Sequence, residues 1–504
     1  MKNQKADRIW NGISLVVLVL AAAVEGLLLW QIRKLNMLPE TYFLILCGCC
    51  LAVTGLICLL IFRRSRGTRI FGYVLALLIL AGCFVCSQAV GRVADTISSI
   101  TAPAKVSVVL EVYVRADDPA EAIQDTAGYR FAFPSDVSRT ELEPVLAELT
   151  DLLRGEPEIL WLDNAVAQMD ALFSGDVDAV VLNSAYLSIL EDLEGYADYA
   201  DRVKLLHKAV VEKEVAAPTL PPREELKGNA SEEAAANSAF LCYVSGVDNR
   251  HSILSSGRSD VNILVAVNTS THQILMVNTP RDYYVINPAS TYGAMDKLTH
   301  CGVYGVANSM EALHILYGVQ PEYYAQMNFR GLETLVDAIG GVTIYSDVAF
   351  RAHGGNQIQV GPNYLNGEQA LGFARTRKTL AGGDNDRGKN QMKLIAAIVD
   401  QLSASTLLQN YDEILKSMEG MFSTSMPAEE IGRLVQTQIA EMPKWEIFSF
   451  AVTGNGAMDK CYASGDQLRS VKYPHKDVVA YASELMGRIL AGEKLTQEDM
   501  KMPK

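Results

Sequence analysis

At 504 residues the chain exceeds the roughly 250–300 at which one hydrophobic core stops growing, so at least two folded units are expected. Its 44 Lys and Arg against 58 Asp and Glu leave a net charge of −14, which excludes a sequence-independent attraction to nucleic acid phosphates and so argues against a generic DNA-binding protein. The 49% hydrophobic content is high for a soluble protein, and the excess is concentrated before Gly91.

Residues 1–91 read as a membrane anchor. Three apolar stretches, Ile13 to Trp30, Tyr42 to Phe62 and Ile70 to Val90, each approach the ~20 residues a helix needs to cross a bilayer core. That is more than a cleaved signal peptide provides. Lys2, Lys5, Arg8, Arg63, Arg64, Arg66 and Arg69 flank one side of the spans, against Arg33, Lys34 and Arg92 on the other. The positive-inside bias then predicts a cytoplasmic N-terminus in a multi-pass cell-membrane protein, and an odd number of spans places everything after the third outside. Glu25 is the only acid well within a span, near enough to its outer end to snorkel or to bond a neighbouring helix. Cys47, Cys49, Cys50, Cys58, Cys83 and Cys86 lie in the spans, without metal-site spacing to a histidine, and act there as small apolar residues. Cys242, Cys301 and Cys461 lie outside, where a disulfide can form. A Cys301–Cys461 bridge and two free thiols are both open readings.

A small-residue connector, Gly91 to Lys105, leads to a first folded unit over 106–214. Val106 to Val114 reads as a buried strand, Glu141 to Leu153 as a helix, and Ala165 to Phe173, Gly175 and Asp178 to Leu182 as helix, turn and buried strand. This α/β pattern loosely resembles one lobe of periplasmic solute-binding proteins and contains no recognisable catalytic set. Residues 215–238, with Pro218, Pro221 and Pro222 followed by Glu and Ala, read as a linker.

The second unit spans 239–452. Strands are expected at Phe240 to Val244, Ile263 to Val267, Ile274 to Val277 and Val342 to Tyr345, with helices near Ser309 to Leu316 and after Arg387, where Met392, Ile395, Ala396, Val399 and Leu402 recur at helical steps. Alternation of strands and helices implies one sheet sandwiched by helices. Residues 453–504 read as a C-terminal extension with a charged tail after Gly492.

Three clusters at expected strand ends or loops consist of acids and arginines: Asp248-Asn-Arg250 with Arg258-Ser259-Asp260; Arg281-Asp282; and Arg375-Thr-Arg377 with Asp384-Asn-Asp386-Arg387. Arginine presents a planar fork that matches phosphate oxygens and cannot lose its charge, so several converging arginines suit a diphosphate. Asp248 and Asp260 offer the hard oxygen ligands that Mg²⁺ prefers. Each cluster alone is more often a solvated surface pair; together, beside buried strands, they point to phosphoryl chemistry. Arg375 and Arg377, at alternate positions, would share one side of an extended segment. The sequence has no nucleophile elbow, no His-Glu-x-x-His site and no Walker loop. His300 is the histidine nearest the clusters, and a structural hydrogen bond is its simpler reading.

These pieces, in this order, resemble the LytR-CpsA-Psr family of cell-wall polymer ligases over about Phe240 to Val452. The strand leading to Asp248-Asn-Arg250, Arg258-Ser-Asp260, Thr279-Pro-Arg281-Asp282, Val336 to Val342, Asn366 to Arg377, and Gly383 to Arg387 with Gln391 carry the likeness. The resemblance implies an α/β/α sandwich whose apolar cavity receives a prenyl chain. It also implies an extracytoplasmic phosphotransferase that moves an anionic glycopolymer, of teichoic-acid or capsule type, from a polyprenyl pyrophosphate carrier to peptidoglycan, with Mg²⁺ or Mn²⁺. By position, Asp248 and Asp260 would be the metal acids, and Arg258, Arg281, Arg375, Arg377 and Arg387 the pyrophosphate grip. Asp384 would orient an arginine or assist proton removal. Val261 stands where the family usually has threonine, Asn390 stands where an arginine is common, and the family's usual anchor is one span. A polyprenyl-pyrophosphate hydrolase and a non-catalytic wall- or lipid-binding scaffold are the alternatives.

Overall fold

Long apolar runs form the first three helices of the computed structural model, which describes residues 2–63, 65–101, 105–135, 139–214, 238–247, 257–290, 293–401 and 410–502. They are α1 (Lys2–Leu35), α2 (Glu40–Ile61) and α3 (Arg66–Thr101), and all three are long and apolar enough to cross a membrane. The turn between the first two uses Asn36 at φ 52°, a left-handed value that asparagine tolerates, and Pro39 immediately before α2. Ile57, Ile61 and Ala76 form the packed centre. Gly72 sits where a Cβ would lie 2.7 Å from Ile61 Cγ2, so the helices meet there on a residue without a side chain. Glu25 is buried and accepts a hydrogen bond from Thr54 Oγ1 at 2.5 Å, the inter-helix bond expected of a carboxylate at that depth.

The third helix extends into the expected connector. Residues 92–101 contain no glycine or proline, and Ile97 and Ile100, three apart, are buried, so the helix continues to Thr101. The same unit, Met1–Thr101 with Met426–Lys444, includes the helix Ala428–Glu441. Its Gln436 Nε2 donates to Asn36 O at 2.6 Å, and Gly432 lies where a Cβ would be 3.0 Å from that carbonyl.

The other unit comprises Ala102–Ser425 and Trp445–Lys504 and contains two main sheets. The first has strands β1 (Lys105–Arg115), β2 (Arg130–Pro134), β3 (Glu158–Leu162), β4 (Ala179–Asn183) and β5 (Val203–Glu214), in the order β3-β2-β4-β1-β5. Alternation along β1 decides which helix covers which face. Leu110, Val112 and Val114 pack on Leu142, Val145 and Leu149 of α4 (Arg139–Leu153), whereas Tyr113 packs with Met169 and Leu172 of α5 (Ala165–Ser174). Asn164 caps α5 by accepting from Ala167 N at 2.9 Å, and Gly175 ends it at φ 84°.

The second sheet has β6 (Ala239–Val247), β7 (Ser259–Asn268), β8 (Gln273–Asn278), β9 (Tyr323–Asn328), β10 (Phe422–Thr424) and β11 (Glu446–Ala451), in the order β10-β9-β6-β7-β8-β11. Leu241, Tyr243, Leu264, Leu275 and Val277 share a core with α6 (Val306–Tyr317). Ile263 and Met276, on the opposite face, pack against Met392 and Ile395 of a later helix over residues 384–401.

Two expectations about this unit change. The strand Val342–Ser346 pairs with Gly361–Leu365 in a separate two-stranded sheet, because Gly340 and Gly341, both at φ 81°, turn the chain away before it. Residues 453–504 are not an extension. Val479, Ala482, Leu485, Met486 and Ile489 of the helix Lys476–Leu490 belong to the same core as Leu264 and Leu275, and Gln273 Nε2 donates to Leu495 O at 3.0 Å. Their apolar spacing covers a sheet face that α6 alone leaves open.

Cys301 and Cys461 are both free thiols and both buried. Burial, with Asp296 nearby, pushes the Cys461 thiol up to about 12, far from the thiolate that disulfide exchange needs. His300 makes the structural bond expected of it: its Nδ1 lies 2.6 Å from Asp296 Oδ1, and Ala463 N donates to Asp296 Oδ2 at 3.1 Å. Next to it, Gly302 fits against the chain that carries Arg258. A Cβ there would lie 2.7 Å from Ser259 N and 2.8 Å from Gly257 O, both backbone atoms that cannot swing aside. Gly302→Ala is expected to cost about 1–3 kcal/mol by overpacking, read as a lowered thermal midpoint of the full chain.

Candidate functional site

Strand direction gathers the chemistry at one edge of the second sheet. β7 runs antiparallel to both β6 and β8, with Ile263 opposite Asn278 and Ser259 opposite Val247, so the start of β7 lies beside the ends of its two neighbours. Asp260 is the second residue of β7, Arg258 directly precedes that strand, and Arg281 follows β8 by three residues. β9 is parallel to β6 and ends at the same edge, where Phe329 begins α7 (Phe329–Ala338). Two more helices reach this edge from downstream, α8 (Gly367–Arg375) with its last residue and α9 (Asp384–Gln401) with its first turn.

Here the chain encloses a cavity of ≈ 630 Å³. Six arginines line it, Arg258, Arg281, Arg351, Arg375, Arg377 and Arg387, together with Lys378, against two acids, Asp192 and Asp260. Leu332, Leu335, Leu394, Ile395 and Ile398 line it as well and make an apolar wall. The cavity therefore joins a cationic part suited to an oxyanion to an apolar part suited to hydrocarbon.

The buried pairs set the electrostatics. Arg281 Nη1 donates to Asp260 Oδ1 at 2.8 Å, with side chains 19% and 12% exposed, and Thr299 Oγ1 donates to the same oxygen at 3.3 Å. Burial by itself would raise the Asp260 carboxyl, but the charges of Arg281 and Arg387, the hydrogen bond from Arg281 and the charge of Arg258 hold it below the usual carboxylate range. Asp260 is thus an anion. Arg387 pairs with Asp384 one helical turn away, and Lys297 Nζ lies 3.5 Å from Asp282 Oδ1. Burial first, and Arg281 as a like charge, pull Arg387 below the ordinary arginine value, as two guanidiniums facing one space require. Arg281 Nε and Asn390 Nδ2 are buried donors without a hydrogen-bond partner among the described residues. Of the two, Arg281 lines the cavity, so its Nε is a donor suited to an oxyanion there.

Of the residues singled out in the sequence, Arg258, Asp260, Arg281, Arg375, Arg377 and Arg387 come together at this cavity. Asp384 reaches it through Arg387. Asp248 lies outside the described residues. Arg375 differs in its local structure: it ends a helix rather than sitting in an extended run. Asn366 Oδ1 accepts from Gln369 N at 3.0 Å while Asn366 N donates to Gln369 Oε1 at 3.2 Å, and that capping box starts α8. Arg375 then stacks on Phe329, with Cζ 4.6 Å from the ring centroid. Arg351, Lys378 and Asp192 had no sequence signal, the first lying in a two-residue strand and the last in the other sheet's domain.

The LytR_cpsA_psr family model matches residues 206–477. The chain belongs to the LytR-CpsA-Psr family. The family region takes in the second sheet, the cavity arginines and the start of the helix Lys476–Leu490. Among curated LytR-CpsA-Psr relatives, the polyisoprenyl-teichoic acid–peptidoglycan teichoic acid transferase TagU of Enterococcus faecalis is 31% identical over 182 residues, covering 36% of this chain and 59% of that one. The corresponding transferase TagT of Bacillus subtilis is 32% identical over 191 residues, covering 36% of this chain and 58% of that one. The match thus spans under two thirds of the length of either relative. The crystal structure of Bacillus subtilis TagV is 20% identical, covering 51% of this chain and 99% of that chain with a TM-score of 0.42.

A divalent ion is the cofactor implied by this family. Asp260 fits one: it is ionised, and one of its oxygens carries no hydrogen bond among the described residues. No three or more His, Cys, Asp or Glu among the described residues gather to hold a metal by themselves.

Proposed function

We propose that this protein is a membrane-anchored extracytoplasmic phosphotransferase. It moves an anionic glycopolymer from a polyprenyl pyrophosphate carrier to peptidoglycan in the site of an α/β/α sandwich. One observation carries this reading: six arginines and Asp260 line a single cavity that leucine and isoleucine side chains also wall. The TagU and TagT relatives, whose names state transfer of teichoic acid from a polyisoprenyl carrier to peptidoglycan, support it.

In this mechanism the hydroxyl oxygen of the acceptor attacks the phosphorus that bears the glycan. The anhydride P–O bond breaks, polyprenyl monophosphate leaves, the hydroxyl proton passes to solvent or a base, and a phosphodiester joins glycan to wall. Arg281 and Arg387, nearly buried, hold the diphosphate by paired donors and stabilise the charge that grows on the leaving phosphate. Asp384, through its ion pair, fixes the direction of the Arg387 fork. Arg258, Arg375 and Arg377 complete the grip, and the leucine and isoleucine wall takes the first isoprene units. Asp260, with Asp248, would hold Mg²⁺, which supplies further neutralisation of the diphosphate charge.

The membrane arrangement follows the basic flanks of α1 to α3, with the N-terminus cytoplasmic. The helix Ala428–Glu441, which comes long after the third span, meets the turn at Asn36 between the first two. This contact supports an N-in, three-span arrangement, in which that turn and the residues after the third span share one side.

The test uses the full chain in detergent micelles with a lipid-linked glycan, peptidoglycan fragments and Mg²⁺. Conjugate and polyprenyl monophosphate are expected in equal amounts, and a chelator is expected to remove most of the activity. Free phosphorylated glycan without conjugate makes the protein a hydrolase, and no turnover makes it a binding protein.

A further inference from the structure

The domain carrying β1 to β5 contributes a side chain to the cavity. Asp192 follows β4 by nine residues and lines the cavity beside Arg258, whose Nη1 donates to Asp192 Oδ2 at 2.5 Å. The contact is built from both sides. Arg469 Nη1 donates to the carbonyl of Asp192 at 2.7 Å, Glu194 N donates to Gln467 Oε1 at 3.1 Å, and Gln467 Nε2 donates back to Glu194 O at 2.8 Å. Beneath this segment Tyr186 meets Tyr304 edge to face with centroids 5.6 Å apart, and Val303 and Ala463 enter the apolar core of the first sheet's domain. The segment around Asp192 is therefore held at the mouth by backbone bonds and packing, independent of what its carboxylate does.

That carboxylate stands where an oxyanion would compete for the same guanidinium. The Asp192 side chain is 55% exposed and that of Arg258 20%, so the pair sits at the rim, where water can replace either partner. A carboxylate offers one negative charge. A diphosphate brings several, and with them the other arginines, so it can displace Asp192 where a weaker anion does not.

We propose that Asp192 is an affinity- and specificity-setting residue: a tethered competitor, supplied by the domain 105–214, that occupies Arg258 until a ligand with enough phosphate charge takes its place. This rests on reading the cavity as a diphosphate site. It gives that domain a part in the site which its lack of catalytic residues left open.

The test is calorimetric titration of inorganic pyrophosphate into the full chain in micelles. Asp192→Asn is expected to bind it about threefold to fivefold more tightly than the parent, the scale of a part-exposed ion pair. In an Arg258→Ala background the same replacement is expected to give no gain, since the group competed for is gone. Because the segment is held through its backbone, Asp192→Ser serves as a second replacement, with the same gain expected. Equal or weaker binding by both variants overturns the proposal while leaving the phosphotransferase reading intact. A gain that persists without Arg258 overturns it too, by reducing Asp192 to a general field effect. If neither parent nor variant binds pyrophosphate, the phosphotransferase reading fails and this proposal with it.

Discussion

Arg281→Ala is expected to lower the rate of glycan transfer by about 10²- to 10³-fold, the loss seen when one preorganised donor to a developing oxyanion is removed. No other cavity arginine combines its features: a bond to Asp260 at 2.8 Å, a side chain only 19% exposed, and a buried Nε still lacking a hydrogen bond among the described residues. Deleting it also leaves Asp260 as a mostly buried charge without its main partner, which costs stability on the order of 3 kcal/mol. Arg281→Lys separates the two effects. Lysine keeps the charge beside Asp260 but not the planar fork, so most of the stability is expected to return while most of the rate does not. Single-turnover transfer with thermal melting of each variant is the measurement, and a lysine variant as fast as the parent would contradict bidentate recognition.

Ala325→Trp is expected to raise KM for a long-chain prenyl donor by roughly 100-fold, with a far smaller effect on a donor whose lipid has been shortened. Ala325 is half-buried on β9, lines the cavity, and has Val244 and Thr424 as its neighbours across the strands. An indole there takes up space otherwise open to hydrocarbon. Each methylene excluded costs about 0.8 kcal/mol, so three or four lost carbons account for the effect. Steady-state kinetics with two donor lengths decide it. Identical KM values for both lengths in the variant would place the lipid elsewhere.

Much of this fold was legible because local pattern and burial agree. The runs Ile263 to Val267 and Ile274 to Val277 are the buried halves of adjacent antiparallel strands, and the steps Met392, Ile395 and Ala396 face them. The gathering of Arg258, Asp260, Arg281 and Arg387 was legible as composition at strand ends. What made it a site is strand order, which brings the start of β7 beside the ends of β6 and β8. The conformation of Arg375 was missed because an Arg-x-Arg spacing is silent about a capping box nine residues earlier. Asp192 was missed for a different reason. It enters by docking of one domain on another, and nothing near position 192 encodes the partner at position 258. The role given to the C-terminal residues was wrong for a related reason: an amphipathic helix reads the same whether it ends a tail or closes a core.

That closing helix has a consequence for biogenesis. β6 is followed by more than two hundred residues before the segment Lys476–Leu490 arrives to cover Leu264 and Leu275. During synthesis the sheet emerges with one flank bare, and it stays sticky until the segment Lys476–Leu490 has followed. Truncations that remove Lys476–Leu490 should therefore yield aggregates or protease substrates rather than a shortened folded protein.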